Sequence, residues 1–303
     1  MHVTLRQLKV FEYVARHLNF TRAAEALHLS QPAVSMQIKQ LEESVGIPLY
    51  ELQGKKIVLT EAGRELDHYS RTINKLLEEA EEVLGELKGA KKGHLNLSVA
   101  STANYFATNL IAAFKKRHPQ TTFSLDVTNR ETLLRQLENN ECDLVIMGRP
   151  PDEMALTKDA FMPNPLVIIA NQEHPLLREK QVSFDRLRNE TFVIREKGSG
   201  TRIAMERYFA EKKVTLQTGM EMNSNEAIKQ AVEAGLGLGI VSTHTLGLEL
   251  ETGRLGIMDV VGFPIARHWY VVYREGRRLS PVAQAFRHFV LSESSSIVEV
   301  PLS

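Results

Sequence analysis

The chain has almost no cysteine and no long apolar run. Its single cysteine, Cys142, excludes an internal disulfide and a cysteine-rich metal site. Its apolar runs, such as 144–147 and 166–170, are far shorter than the roughly 18 residues of a membrane span. No signal-peptide h-region follows Met1, so the expected home is a reducing cytoplasm, with no membrane partner. An excess of charge is also missing. Lys+Arg 37 balance Asp+Glu 37 for a net charge of zero, so any nucleic-acid contact must come from a local patch. What is present suffices for a core: 43% of the 303 residues are hydrophobic.

The first sixty residues read as short helices. Leu5, Leu8, Phe11, Val14, Ala15 and Leu18 recur at helical spacing. Asn19 to Thr21 offer a cap for a second helix over 22–27. His28 suits a left-handed connection. Ser30 can cap a third helix that tolerates Pro32 in its first turn. Val34, Ile38, Leu41 and Val45 form that helix's inward stripe. The opposite stripe, Pro32, Ser35, Met36 and Lys39, is short or polar and with Gln31 suits base edges and phosphates in a major groove. A plain three-helix bundle with a polar face would show a similar pattern. Two β-like pieces, 49–52 and 57–59, flank a hairpin tip containing Lys55 and Lys56.

From Thr60 to Lys88, Ala62, Leu66, Tyr69, Ile73, Leu76, Ala80, Val83 and Leu87 alternate steps of four and three. This heptad seam calls for a second helix as partner. A polar hinge, 89–93, follows. Strands and helices then alternate, with strands expected at 95–100, 123–128, 144–147, 166–170, 192–195, 239–242 and 269–273. Such βα units predict α/β architecture with parallel sheets, and the fresh start near Leu166 predicts two lobes.

Strand ends are where open α/β sheets bind ligands. Ser101, Thr102, Thr128, Asn129, Thr201, Arg202 and Ser242 stand at four such ends. Hydroxyls and amides at helix N-termini, with a guanidinium from Arg202, favour an anion. Each residue could equally be an ordinary cap. No Gly-x-Gly-x-x-Gly opens a βα unit. The run from Gly235 to Gly239 reads as a turn that packs a helix closely on the sheet. No Gly-x-Ser-x-Gly or His-Glu-x-x-His occurs, and an enzyme is not expected.

The stretches Leu8-Lys9-Val10-Phe11, Asn19-Phe20-Thr21-Arg22-Ala23-Ala24-Glu25-Ala26-Leu27, Leu29-Ser30-Gln31-Pro32-Ala33-Val34-Ser35, Ile38-Lys39-Gln40-Leu41-Glu42 and Leu59-Thr60-Glu61-Ala62-Gly63 resemble the N-terminal domain of LysR-type transcriptional regulators. The resemblance implies a winged helix-turn-helix over 1–60, a dimerising linker helix and hinge over 61–92, and an effector domain over 93–303. That domain would be shaped like a two-lobed periplasmic binding protein, with lobe I near 93–165 and 267–303 and lobe II near 166–266. DNA contacts would come from Thr21, Arg22, Ser30, Gln31, Pro32, Ser35, Met36, Lys39, Lys55 and Lys56. Dimerisation would use Leu66, Tyr69, Ile73, Leu76, Ala80, Val83 and Leu87. Promoter DNA, homodimers or homotetramers, and RNA polymerase are the implied partners.

The Leu52-Gln53-Gly54-Lys55-Lys56 and Gly198-Ser199-Gly200-Thr201-Arg202 segments look like the subgroup that controls RuBisCO operons. That implies an activator of CO2 fixation whose effector is NADPH or a phosphorylated Calvin-cycle metabolite. A LysR-type regulator of amino-acid or aromatic metabolism is the alternative, and a solute-binding protein a remote one.

Overall fold

The computed structural model describes residues 2–54, 56–87 and 93–298, without the side chains of 79, 82, 83 and 85–87. Contacts divide the chain into two units, 1–90 with 139–141, and the remainder.

In the first unit, α1 (Leu5–His17), α2 (Phe20–Ala26) and α3 (Gln31–Val45) precede a hairpin of β1 (Tyr50–Gln53) and β2 (Lys56–Leu59) and the long α4 (Glu61–Leu87). Each of the first three helices begins at a side-chain cap. Thr4 forms a capping box with Gln7, and Asn19 and Ser30 accept from the amides of Arg22 and Ala33. His28 is left-handed at φ 54, as expected, and the turn closes with Leu29 N–H donating to Ala24 O at 2.9 Å. Phe11, Val14, Ala24, Val34, Ile38, Leu41 and Leu49 form the core. The fold is a winged helix-turn-helix.

The start of α4 departs from the expected seam. Ala62 and Leu66 pack on this domain's own core. Gly63 makes that approach possible, because a Cβ there would lie 1.9 Å from Leu49 O. Further along, Asn74 Nδ2 donates to Glu12 Oε2 of α1 at 2.8 Å, and Ser70 is buried on the same face. The apolar stripe left open is Tyr69, Leu76, Leu77 and Leu84, beside half-buried Ile73 and exposed Ala80. Leu66 therefore serves the domain's interior. Leu77 and Leu84 join the stripe, while the side chains of Val83 and Leu87 lie outside the described residues.

In the second unit the order is β3 (His94–Ala100), α5 (Asn104–Arg117), β4 (Thr122–Thr128), α6 (Arg130–Glu138), β5 (Leu144–Met147), β6 (Leu156–Pro163), β7 (Leu166–Asn171), α7 (Phe184–Leu187), β8 (Thr191–Arg195), α8 (Gly200–Glu211), β9 (Gln217–Met222), α9 (Asn225–Glu233), β10 (Leu238–Ser242), α10 (Gly247–Glu251), β11 (Leu255–Ile257), β12 (His268–Arg274) and α11 (Pro281–Ile297). Two five-stranded sheets result, β4-β3-β5-β12-β6 and β11-β7-β10-β8-β9. They are mixed, which corrects the expectation of parallel sheets. β12 runs antiparallel to β5 and β6, and β7 antiparallel to β10 and β11. The cause is the path of the chain, which crosses to the second sheet after β6 and returns to the first through β12 without an intervening helix.

The two crossings pair with each other. Asn164 N–H donates to Arg267 O at 2.8 Å, and Leu166 and Ile265 exchange backbone bonds. Behind them His244 Nε2 bonds Pro163 O at 2.9 Å, and Thr243 N–H donates to Pro165 O. The glycine-rich run from Gly235 to Gly239, which leads into β10, packs a helix closely on the sheet. A Cβ on Gly239 would press on Val232 and Ile228 of α9 at 2.9 and 3.0 Å.

Candidate functional site

The DNA-facing candidates gather around α3. Gln31, Pro32, Met36 and Lys39 are exposed and Ser35 is half-exposed, on the side opposite buried Val34, Ile38 and Leu41. Gln31 Nε2 donates to Ser35 Oγ at 2.8 Å, so the two side chains orient each other. Ser30 spends its hydroxyl on the cap, and Thr21 and Arg22 lie exposed at the start of α2. Lys56 opens β2, exposed, paired across from Gln53, whereas Lys55 lies outside the described residues.

The effector candidates converge in part. Between the two sheets of the second unit lies a cleft of about 400 Å³. Ser101, Thr102, Thr128, Asn129 and Thr201 line it. Several are already engaged. Thr102 Oγ1 accepts from Asn225 Nδ2 at 3.1 Å, Ser101 Oγ accepts from Arg195 Nη2 at 3.3 Å, and Asn129 Oδ1 accepts from Thr132 N–H.

Two expected residues stand elsewhere. Arg202 is turned along α8 to the carboxylates of Glu206 and Glu221, because a cation near a helix N-terminus finds a better partner in acidic side chains than in the helix. Ser242 is buried outside the cleft lining and donates to Asn164 Oδ1 at 2.8 Å, so it braces the crossing segment.

The cations that do line the cleft are Arg130, Arg149, Arg195, Arg207 and Arg267. Two are matched by carboxylates. Arg149 meets Asp152 at 3.0 Å, and Arg195 meets Glu196 at 2.7 Å. Arg267 has no such partner among the described residues. Burial, then the neighbouring guanidiniums of Arg207 and Arg130, push its pKa down to about 10, so it remains charged at neutral pH. Burial also lowers Arg130, whose Nη1 is enclosed without a hydrogen-bond partner. The buried indole Nε1 of Trp269 is likewise unpaired.

Residue patterns hid these groups. One signal existed for Arg130: it is the first residue of α6, where the helix dipole disfavours a cation. Arg267, in a loop before β12, gave none. Among the described residues no cluster of His, Cys, Asp or Glu could hold a metal ion, and no helix is long and apolar enough to cross a membrane.

A winged helix-turn-helix with a polar exposed face on α3, followed by a long helix and a two-sheet domain with an arginine-lined cleft, is the architecture of a ligand-responsive DNA-binding regulator. Residues 5–64 match the family described as "Bacterial regulatory helix-turn-helix protein, lysR family", and residues 88–295 match "LysR substrate binding domain". The chain belongs to the LysR family of transcriptional regulators and is not an enzyme. It is 60% identical to the RuBisCO operon transcriptional regulator of Allochromatium vinosum, over 97% of this chain and 98% of that one. Its effector unit is similar to the CcmR regulatory domain of Synechocystis PCC6803, solved in complex with 2-PG, at 40% identity and TM-score 0.66. That match covers 68% of this chain and 99% of the other. Full-length CbnR, solved with its target DNA, shares the fold at TM-score 0.69 and 21% identity, over 97% of this chain and 100% of that one.

Proposed function

We propose that the protein activates a RuBisCO operon in response to a short phosphorylated metabolite bound in the cleft between the two sheets. The observation that carries the ligand class is the presence in that cleft of Arg130 and Arg267, neither of which forms an ion pair with a carboxylate among the described residues, although Glu153 lies near Arg130. A buried cation is costly unless paired, and an anionic ligand supplies the pair. The 2-PG complex of the CcmR domain supports the same chemistry, and the regulator of Allochromatium vinosum supports the operon.

A cleft of about 400 Å³ favours a compact ligand such as 2-phosphoglycolate over the much larger NADPH. Ser101, Thr102, Thr128, Asn129 and Thr201 would hold its polar remainder. α3 would read promoter DNA through Gln31, Ser35 and Lys39, and Lys55 and Lys56 would grip phosphates from the wing. The stripe of Tyr69, Ile73, Leu76, Ala80 and Leu84 would pair α4 with a second copy, within a tetramer in the cytoplasm. RNA polymerase would be the partner at the activated promoter. Calorimetric titration of the full chain with 2-phosphoglycolate and with NADPH tests the ligand. Binding of the former with micromolar or better affinity is expected, and no heat from either would reject the reading.

A further inference from the structure

Five guanidiniums face this cleft, and their pairing is uneven. Arg149 shares Asp152 with Lys158, and Arg195 is held by Glu196 and by Asn225 Oδ1. Arg207 is exposed and stands 3.9 Å from the exposed Glu211. Arg130 makes one side-chain hydrogen bond, from Nη2 to the Arg149 carbonyl at 3.3 Å. Glu153 acts on it only as a nearby charge. Arg267 Nη2 sits so close to Gly148 that a Cβ there would lie 2.4 Å away. A Cβ on Gly200, at the start of α8, would lie 3.5 Å from Arg130 Cδ and 3.9 Å from Arg267 Nη2. Two half-buried cations, one with an enclosed Nη1, thus flank one spot and repel each other.

From this arrangement, and resting on the proposed phosphorylated effector, we infer that Arg130 and Arg267 select the ligand by charge: the site takes a tetrahedral group bearing two negative charges, a phosphate monoester, and discriminates against the isosteric sulfate monoester bearing one. The physical ground is the count of unmatched charge. A dianion neutralises both Arg130 and Arg267. A monoanion of the same shape leaves one guanidinium enclosed and uncompensated, which costs far more in a cleft than in water. Hydroxyl and amide donors such as Thr201 and the α8 amides read shape and would treat the two esters nearly alike.

The test is a paired calorimetric titration of the full chain near pH 8, where a phosphate monoester, with a second pKa of about 6, is dianionic. The probes are 2-phosphoglycolate and the O-sulfate of glycolate, identical except at the tetrahedral group. The phosphate ester should bind about 10–100-fold more tightly, the range for one charged hydrogen-bonding interaction. Arg267→Gln should bring the two affinities within about threefold by weakening the phosphate ester alone, and Arg267→Lys should restore most of the gap. Arg130→Gln provides a second readout should Arg267→Gln not fold.

Equal binding of the two esters by the unsubstituted chain would overturn charge selection while leaving the phosphorylated-effector reading intact. A gap unchanged in Arg267→Gln or Arg130→Gln would remove the arginines as its source. Binding of neither ester would overturn both.

Discussion

At Gln31 and Ser35 the structure adds a coupling that the residue pattern does not carry. Because Gln31 Nε2 donates to Ser35 Oγ, each side chain orients the other on the exposed face of α3. Gln31→Ala and Ser35→Ala should each weaken operator binding by about 1–3 kcal/mol. The double variant should lose less than the sum, since the residues act as one reader. Gel-shift titrations of the four proteins check this; strict additivity would mean that the pair does not work as a unit.

His244 invites a different measurement. Enclosed beside the Phe106 and Trp269 rings, and bonding Pro163 O through Nε2, it has a pKa held below the ordinary 6.5 by burial. Above about pH 6.5 both folded and unfolded forms are neutral, and the group contributes no pH dependence. As pH falls below that, the unfolded chain takes up the proton first. Stability is lost at up to about 1.4 kcal/mol per unit until the folded pKa is reached. Urea unfolding at about pH 7.5 and 5.5 should show this loss, and His244→Gln should show less of it. Identical losses in both proteins would exclude His244 as the source.

The cleft-lining residues legible in the sequence are those fixed by local position: Thr102 follows β3 and Thr201 opens α8. Arg267 reaches the cleft only because β12 returns to the first sheet, a long-range fact that no local spacing encodes.

Among the elements, α4 shows how far a periodic pattern carries. The heptad was legible because its apolar residues recur without interruption. What the period cannot say is which partner each turn meets, and the first turns meet α1 and Leu49 of the same chain. Leu76→Lys, at the exposed middle of the stripe, should leave the helical content unchanged and abolish dimers, because a charge would be buried without a partner. Light scattering decides it, and a dimer that persists would move the interface elsewhere. Gly63→Ala should instead harm the fold itself, costing roughly 1–3 kcal/mol or more, since the clash is with backbone. A thermal melt unchanged by that substitution would mean that α4 does not depend on this approach.

The strands left unread, β6, β9 and β11, are edge or short strands. β9 (Gln217–Met222) is exposed along almost its whole length and shows no inward alternation. β11 has only three residues. For β9 there is no buried face and so no period of two to read, and β11 is too short to show one.

In the molecule as a whole, a winged helix-turn-helix is followed by an arginine-lined cleft, the proposed site of a phosphorylated effector. A ligand can shift the regulator only through its different affinity for the two DNA-bound states. Its binding energy should first appear as stability. At about 100 times its Kd, 2-phosphoglycolate should stabilise the effector unit by about 2.7 kcal/mol. The most direct test of the central claim is the bend angle of a RuBisCO-operon promoter, followed by fluorescence energy transfer between its ends, with the protein bound and 2-phosphoglycolate added. The bend should change with ligand concentration for the unsubstituted protein. With Arg267→Gln the same change should require at least tenfold more ligand. A bend that stays constant while calorimetry shows the cleft saturated would contradict the claim that the cleft governs the DNA.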